Sequence, residues 1–397
     1  MKIIQDKIKQ LTKQYLPDIV ALRRKFHTIP ELSYEEYQTS ELIAEFLTTH
    51  GIEFRKGIAK TGIVGLIKGE NSKGKVVALR ADMDALQIKE LNEVEYKSKH
   101  PGKMHACGHD VHLASLLGTA RILQEIRNEF DGTVKLIFQP SEEKYPGGAR
   151  VMIEEGVLEN PKPDVIFGQH VFPELDVGKI GMKTGKYMAS TDEIFLTVNG
   201  KGGHGAIPQK NIDPVLIASH IIVALQQIVS RNSNPAMPTV LSFGRVIADG
   251  QTNVIPDKVS IAGIMRTFDE SWREEMKERI RKMAQYVAVG MGGTCDVFFD
   301  PGYPVLVNEK SVTEKTEKYA KEYLGEQNVK KLELRTTAED FAYYAQKIPA
   351  CFYRLGVRNL EKGIVSNLHT ATFDVDEDSL KTGVGFMAWI TVNELMN

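Results

Sequence analysis

Four of the ten histidines fall between positions 100 and 112, and Cys107 stands among them in MHACGHDVH, Met104 to His112. Thiolate, imidazole and carboxylate donors so close together make a metal site the natural chemistry. Gly108, between Cys107 and His109, lets the backbone turn tightly there. A purely structural zinc knot needs more Cys or His at short spacing. Cys295 and Cys351 are distant, have apolar or ordinary neighbours, and read as core cysteines. His112 falls in the helix after the cluster and reads either as a partner to a ligand or as a packed histidine. His105 is open in the same way. Glu142 and Glu143 are adjacent acids, which repel and need a reason to share a strand end. A cation on one removes the repulsion and leaves the other to act as a base on activated water. Without nearby ligands the pair would read as exposed acids in a turn before Lys144. His369, in SNLHTATFD, taken alone reads as a surface-loop residue.

Parallel strands are what must bring these groups together. Short runs rich in β-branched residues at Val76–Leu79, Val134–Phe138 and Val165–Phe167 alternate with helical stretches at Val111–Ile126 and Gly147–Glu155. That alternation predicts a sheet with parallel strands and helices on its faces. Ligand crevices in such sheets lie outside the carboxyl ends of the strands. Arg80, Asp82 and Asp84 follow the first run, Ser141, Glu142 and Glu143 the second, and Gln169 and His170 the third. A solvated-loop reading explains any one of these acids but explains the set poorly.

At the N-terminus, apolar residues at helical spacing from Ile4 to Phe26 predict a helix or helix pair broken near Pro17. Ser40–His50 predicts another helix, ended by Gly51. A different order starts near Lys186: strand Glu193–Val198, helix Pro214–Val229, strands Thr239–Val246 and Val259–Arg266, helix Glu270–Val287, strand Thr294–Phe299. Strand–helix–strand–strand–helix–strand is the split βαβ, ferredoxin-like pattern. The fold expected is therefore α/β, a mixed sheet flanked by helices, with an inserted ferredoxin-like α+β domain. Its bounds are a first part at 1–185, the insertion at 186–297, and a second part at 298–397 ending in a helix from Glu377 to Leu395. Gly200, Gly202 and Gly205 match a dinucleotide fingerprint, but Ala206, Ile207 and Pro208 follow where a helix should run, and no acid lies about twenty residues on. A flexible loop presenting His204 is the better description.

Composition excludes other classes. The chain has 397 residues, with 50 Lys plus Arg against 52 Asp plus Glu, a formal net charge of −2. No positive excess is available for a polyphosphate, so neither nucleic acid nor an anionic membrane is expected as partner. Three cysteines rule out a disulfide framework and fit a reducing compartment. Lysines and glutamines interrupt every apolar stretch of the first twenty residues, so no signal peptide is read. No run of about eighteen apolar residues suggests a transmembrane helix. A cytoplasmic chain is expected.

HACGHD, QPSEE followed by GG, GQHV, KGGHGAIP, AEDFA and LHTATF together resemble the aminoacylase/carboxypeptidase family of dinuclear metallohydrolases. They are most similar to its hippurate hydrolase and N-acyl-amino-acid amidohydrolase branch, which includes the auxin-conjugate hydrolases. The matches run in family order from Arg23 to beyond His369. The resemblance implies two divalent metal ions per subunit, zinc first, with manganese, nickel or cobalt also admitted. It makes Cys107 the bridging ligand, and His109, Glu143, His170 and His369 the remaining ligands. It makes Glu142 the general base, and His204 an oxyanion stabiliser reaching over from the other subunit of a homodimer. Asn253 would position the substrate carbonyl and Arg266 the amino-acid carboxylate. Many family members carry His-x-Asp after the first strand, where this chain has Asp82-Met83-Asp84. Both aspartates are expected to orient ligands rather than touch metal. The implied reaction is hydrolysis of an N-acyl amino acid, with a dipeptidase or carboxypeptidase as the alternative and a non-catalytic metal-binding protein as the remote one.

Overall fold

Val76–Asp82 and Thr133–Gln139 are buried at every position, as strands covered on both faces must be. The computed structural model describes residues 1–397 and divides into two units. One comprises Met1–Gly185, Val307–Glu333 and Asp340–Asn397; the other comprises Lys186–Leu306 and Leu334–Glu339.

The first unit is built on eight strands: β1 (Glu53–Ile58), β2 (Gly62–Lys68), β3 (Val76–Asp82), β4 (Thr133–Gln139), β5 (Val165–Asp176), β6 (Ile180–Met182), β7 (Val329–Lys331) and β8 (Ala350–Arg358). Their order is β1-β2-β4-β3-β5-β8-β6-β7. The centre, β4-β3-β5-β8, is parallel. The pairs β1–β2, β2–β4 and β8–β6 are antiparallel, so the sheet is mixed. The hairpin of β1 and β2 has no counterpart in the sequence reading. Its edge strand, EFRKGI, is largely exposed and carries too many charges to look like a strand.

Six helices matter to the site: α1 (Lys2–Thr28), α2 (Tyr37–Thr49), α3 (His109–Glu125), α4 (Gly148–Glu154), α5 (Lys310–Leu324) and α6 (Ser379–Met396). α3 and α6 are buried on nearly all sides, and α1 packs on both. The break expected near Pro17 does not occur, and α1 runs through it. Pro17 removes the donor for the Lys13 carbonyl, but both residues are exposed, so water can satisfy that carbonyl.

In the second unit, strands Thr239–Ala248, Lys258–Thr267, Asp192–Asn199 and Thr294–Pro301 lie side by side in that order, every neighbour antiparallel. This is the ferredoxin-like arrangement. Helices Pro214–Gln227 and Glu270–Gly290 contribute Ile217, Ile221, Met276 and Ile280 to a core with Ile194, Leu196 and Val259. A boundary at 297 would cut a strand that pairs along its whole length to Pro301, so the second unit extends to Leu306 and also takes in Leu334–Glu339. One helix, Pro214–Asn232, is by length and composition apolar enough to cross a membrane. The sequence reads it as the helix Pro214–Val229, with polar residues punctuating the apolar run. Its Ile217, Ile221, Leu225 and Ile228 pack in the core of this unit.

Candidate metal centre

Cys107 closes the loop before α3, and His109 is the first residue of that helix. Gly108 between them has φ +81°, and a Cβ there would lie 2.5 Å from Val171 Cγ2. Only glycine turns this corner without strain. His109 Nδ1 donates to the Asp84 carbonyl at 2.8 Å, and its Nε2 is buried without a hydrogen-bond partner. His170, on β5, donates Nδ1–H to the Val171 carbonyl at 2.7 Å, and its free Nε2 lies 3.5 Å from Cys107 Sγ. His369 approaches from a loop before α6. Its backbone N–H donates to Ala106 at 2.8 Å, its φ is +60°, and its Nε2 lies 3.4 Å from Cys107 Sγ and 3.2 Å from Glu143 Oε1. That Glu143 oxygen is likewise buried without a hydrogen-bond partner, 3.9 Å from His109 Nε2. His369, which alone reads as a loop residue, is thus drawn onto the cysteine.

Five donor groups have their ligand atoms within 4.8 Å of one another: Cys107, His109 and His170; Cys107, Glu143 and His369; His109, Glu142 and Glu143; Asp82, His109 and His112; Glu142, Glu339 and Asp340. Cys107 belongs to two of them. The local electrostatics ask for cations. Burial, then Glu143, Glu142 and Asp82, push the Cys107 thiol well above its usual range, so the thiolate needs positive charge beside it. Burial opposes charge on His109, yet Asp82, Asp84 and Glu143 prevail and raise its pKa to about 10. Burial and Arg354 hold His170 well below its ordinary value, in the neutral form a ligand requires. Buried, unpartnered polar atoms, a thiol in a negative field and a neutral imidazole fit divalent metal.

Asp82 and Asp84 spend their oxygens elsewhere. Asp82 Oδ2 accepts from Arg80 at 2.7 Å and Oδ1 from His112 at 2.5 Å. Arg80 also donates to Gln139 and Asp340, so two strand ends and the turn at Asp340 share one buried guanidinium. Asp84 Oδ1 accepts the Glu142 N–H at 2.9 Å, and Oδ2 accepts the Glu143 N–H at 3.0 Å and the Ser33 hydroxyl at 2.6 Å. One carboxylate therefore fixes the backbone of the acid pair. The peptide before it is held by Glu36, which accepts from Ser141 N–H at 2.8 Å and from the Thr61 hydroxyl at 2.6 Å. His105 is fully buried, and burial lowers its pKa to about 3.

Within the second unit, Gly203–His204 pairs with Val254–Ile255, and Gly205 N–H donates to the Asn253 carbonyl at 2.9 Å. His204 and Asn253 are thereby brought onto neighbouring segments. His204 is exposed, its Nδ1 accepting from Ala206 N–H at 3.0 Å. Only a single 3-10 turn, Pro208–Lys210, follows the glycines, and Lys201 bridges to Ile212 across the loop, so it is not the helix N-terminus of a phosphate cradle. Arg266 lies on Lys258–Thr267, half-buried, and donates to the Thr336 carbonyl at 3.0 Å. Cys295 and Cys351 are buried among apolar residues of the two cores. The sequence reading passed over Arg23, His27 and Glu36. Arg23 carried a signal: it continues the buried face of α1 four residues after Ile19, where a charge must find partners.

The fold and these donors define a hydrolase of the metal-dependent type, an α/β unit interrupted by a ferredoxin-like one. Residues 78–392 match the model of peptidase family M20/M25/M40, and the chain belongs to that family as a hydrolase of amide bonds. Thermostable carboxypeptidase 2 of Saccharolobus solfataricus is 41% identical over 381 residues, 95% of each chain. The IAA-amino acid hydrolase ILR1-like 4 of Arabidopsis thaliana is 38% identical, over 95% of this chain and 86% of the plant protein. N-acetyl-L-cysteine deacetylase of Bacillus subtilis is 39% identical, over 91% of this chain and 84% of its own. A solved dinuclear metal-binding peptidase of the M20 family from Bacillus subtilis superposes with a TM-score of 0.82 at 35% identity, covering 96% of this chain and 99% of that one.

Proposed function

We propose that the chain hydrolyses N-acyl amino acids to a carboxylic acid and a free amino acid. The observation that carries this reading is the pair of buried, unpartnered polar atoms, His109 Nε2 and Glu143 Oε1, beside Cys107 with Glu142 next in sequence. Cys107, His109, Glu143, His170 and His369 are the residues that would hold two divalent ions at this centre. Zinc is the first candidate because thiolate and imidazole dominate; manganese, nickel and cobalt are compatible with the carboxylate. Such ions, when bound, acidify water and polarise a carbonyl.

The chain's own residues do the rest. Glu142 takes the proton of the attacking water and returns it to the leaving nitrogen, a role that contributes about 10²- to 10⁴-fold. Asp84 holds that glutamate by its backbone, so that its carboxylate is aimed rather than free to swing. Asn253 orients the substrate carbonyl, Arg266 pairs with the substrate carboxylate, and in a homodimer His204 of the partner subunit stabilises the oxyanion. Asp82 and Asp84 orient ligands without touching metal. The reducing cytoplasm would keep the Cys107 thiol available.

The carboxypeptidase relative supports a second reading, in which the substrate is a short peptide. N-acetyl, N-benzoyl and longer N-acyl amino acids, assayed beside free dipeptides with zinc, manganese, nickel or cobalt added, decide between them. Turnover of acyl amino acids at least tenfold above that of dipeptides is expected. Preference for dipeptides would replace the first reading with the second, and no turnover of either would end both.

A further inference from the structure

We propose that Arg23 is a positioning residue which couples the two chain segments carrying His109 and His369. The inference rests on the reading above, in which both histidines hold metal. Arg23 is fully buried on the core face of α1. A buried guanidinium is strongly unfavourable unless paired, so its partners reveal its purpose. Nε lies 2.7 Å from Asp110 Oδ2, and Asp110 follows His109 directly in the first turn of α3. Nη2 lies 3.3 Å from Asp374 Oδ1 and Nη1 lies 3.4 Å from Glu377 Oε1. Both belong to the segment that runs from His369 into α6. Tyr96 covers the guanidinium, its ring centroid 4.8 Å from Cζ, and its hydroxyl donates to Asp374 at 2.9 Å. His27 shares the same Asp110 oxygen at 2.8 Å.

Arg24 holds Glu377 more closely, at 2.9 and 2.6 Å, so the contacts particular to Arg23 are those to Asp110 and Asp374, one carboxylate from each segment joined by a planar fork of N–H groups that an ammonium lacks. Other bonds hold the His369 segment from above: His369 N–H to Ala106, Leu91 N–H to Ala371 and Asn92 Nδ2 to the Phe373 carbonyl, each 2.8 Å. Arg23 fastens the lower part, 374–377, to α3 itself. If that end moved, His369 would swing away from Glu143 and Cys107. None of the Arg23 contacts is with a metal donor, so it acts through Asp110 and Asp374. A merely structural ion cluster would weaken the metal-loaded and metal-free protein alike.

The test uses the zinc-loaded full chain, with zinc content read by mass spectrometry and affinity by competition with a chromogenic chelator. Asp374→Asn combined with Glu377→Gln releases the lower segment while leaving the buried Arg23–Asp110 pair intact. Lys362→Gln is the control, since it cuts the 2.9 Å pair with Asp376 in the same segment without touching Arg23. The double variant is expected to keep one zinc at parental affinity and to hold the other roughly 10- to 100-fold more weakly. Its melting temperature after chelation should match the parent's. Arg23→Lys should repeat the zinc defect, and Lys362→Gln should bind both ions normally. A folded double variant with both zinc affinities unchanged overturns the inference. So does a stability loss equal in loaded and stripped protein with no change in affinity. A parent chain that binds no divalent ion overturns instead the reading of the donors, and this inference with it.

Discussion

His112 donates its Nδ1–H to Asp82 at 2.5 Å and accepts the backbone N–H of Val171 at 2.9 Å. Both ring nitrogens are committed, so this histidine is not available to a metal. Its ring lies beside those of His109 and His170, at centroid distances of 5.4 and 4.7 Å, while those two are 6.1 Å from each other. It packs against both rings while keeping Asp82 turned toward Arg80. Phenylalanine at position 112 would fill the space and leave two buried groups unpaired, at about 1–3 kcal/mol each. His112→Phe is expected to lower unfolding free energy in urea by about 2–5 kcal/mol. A loss under about 1 kcal/mol would contradict the role given to this ring.

Glu142→Gln should separate metal binding from turnover. The amide keeps the shape of the side chain and leaves the backbone bond to Asp84 untouched, but it cannot accept the proton. A fall in kcat of about 10²-fold or more is expected, with metal content at the parental value. Near-normal kcat at full metal content would show that another group is the base.

Cys107→Ala removes the donor common to two of the groups, so it should cost metal as well as activity. The thiol is held protonated by burial and nearby carboxylates, and a metal must displace that proton. Calorimetry in buffers of different ionisation enthalpy should find about one more proton released per chain from the parent than from Cys107→Ala.

Gly108→Ala tests the corner that joins Cys107 to His109. Positive φ costs a non-glycine residue about 1–3 kcal/mol, and the added methyl meets Val171 as well. Reduced stability in denaturant titration and weaker metal binding should appear together. An alanine variant as stable as the parent would mean that the loop relaxes freely.

Glu36 gives a pH dependence with a definite sign. Burial and Asp84 raise its pKa to about 7, above the unfolded value, so the folded state binds the extra proton. Its contribution is fully present below about pH 4.5 and is lost as pH rises through 7. Glu36→Gln carries no such titration and can keep the bond with Thr61. With chelator present throughout, the variant should gain on the parent between pH 5 and 8 by about 2–3 kcal/mol, at 1.36 kcal/mol per pKa unit. Parallel stability curves over that range would remove Glu36 as the titrating group.

Much of the architecture was legible because period and composition report burial. The runs at Val76 and Val134 are apolar enough to announce central strands, and the inserted unit shows in its order of elements. β1 was hidden because an exposed edge strand carries charge, and Pro17 misled because a proline on a wetted helix face leaves the helix intact. Residue type and strand ends single out Glu142, Glu143 and His170 as candidate donors, and only the family resemblance adds His369; neither gives their hydrogen-bond partners. Nothing in MHACGHDVH distinguishes His109, with a free Nε2, from His112, with both nitrogens taken. That difference lies in Asp84, Asp82 and Val171, which long-range pairing of β3 and β5 brings to the two rings. Arg23 announces its burial by its place on the apolar face of α1, but its partners, which lie far along the chain, could not be read.

The interruption of the first unit by the second also orders events during synthesis. Cys107, His109, Glu143 and His170 leave the ribosome long before β8, which must dock beside β5, and before His369. At about 5–20 residues per second, roughly 200 residues separate His170 from His369, a wait on the order of ten seconds or more. Through that interval one side of β5, apolar along Val165–Phe167, has no neighbour, and the donor set lacks a member. On the proposed ligand assignment, a chain that stops short of His369 would assemble most of a nest for cations and never close it.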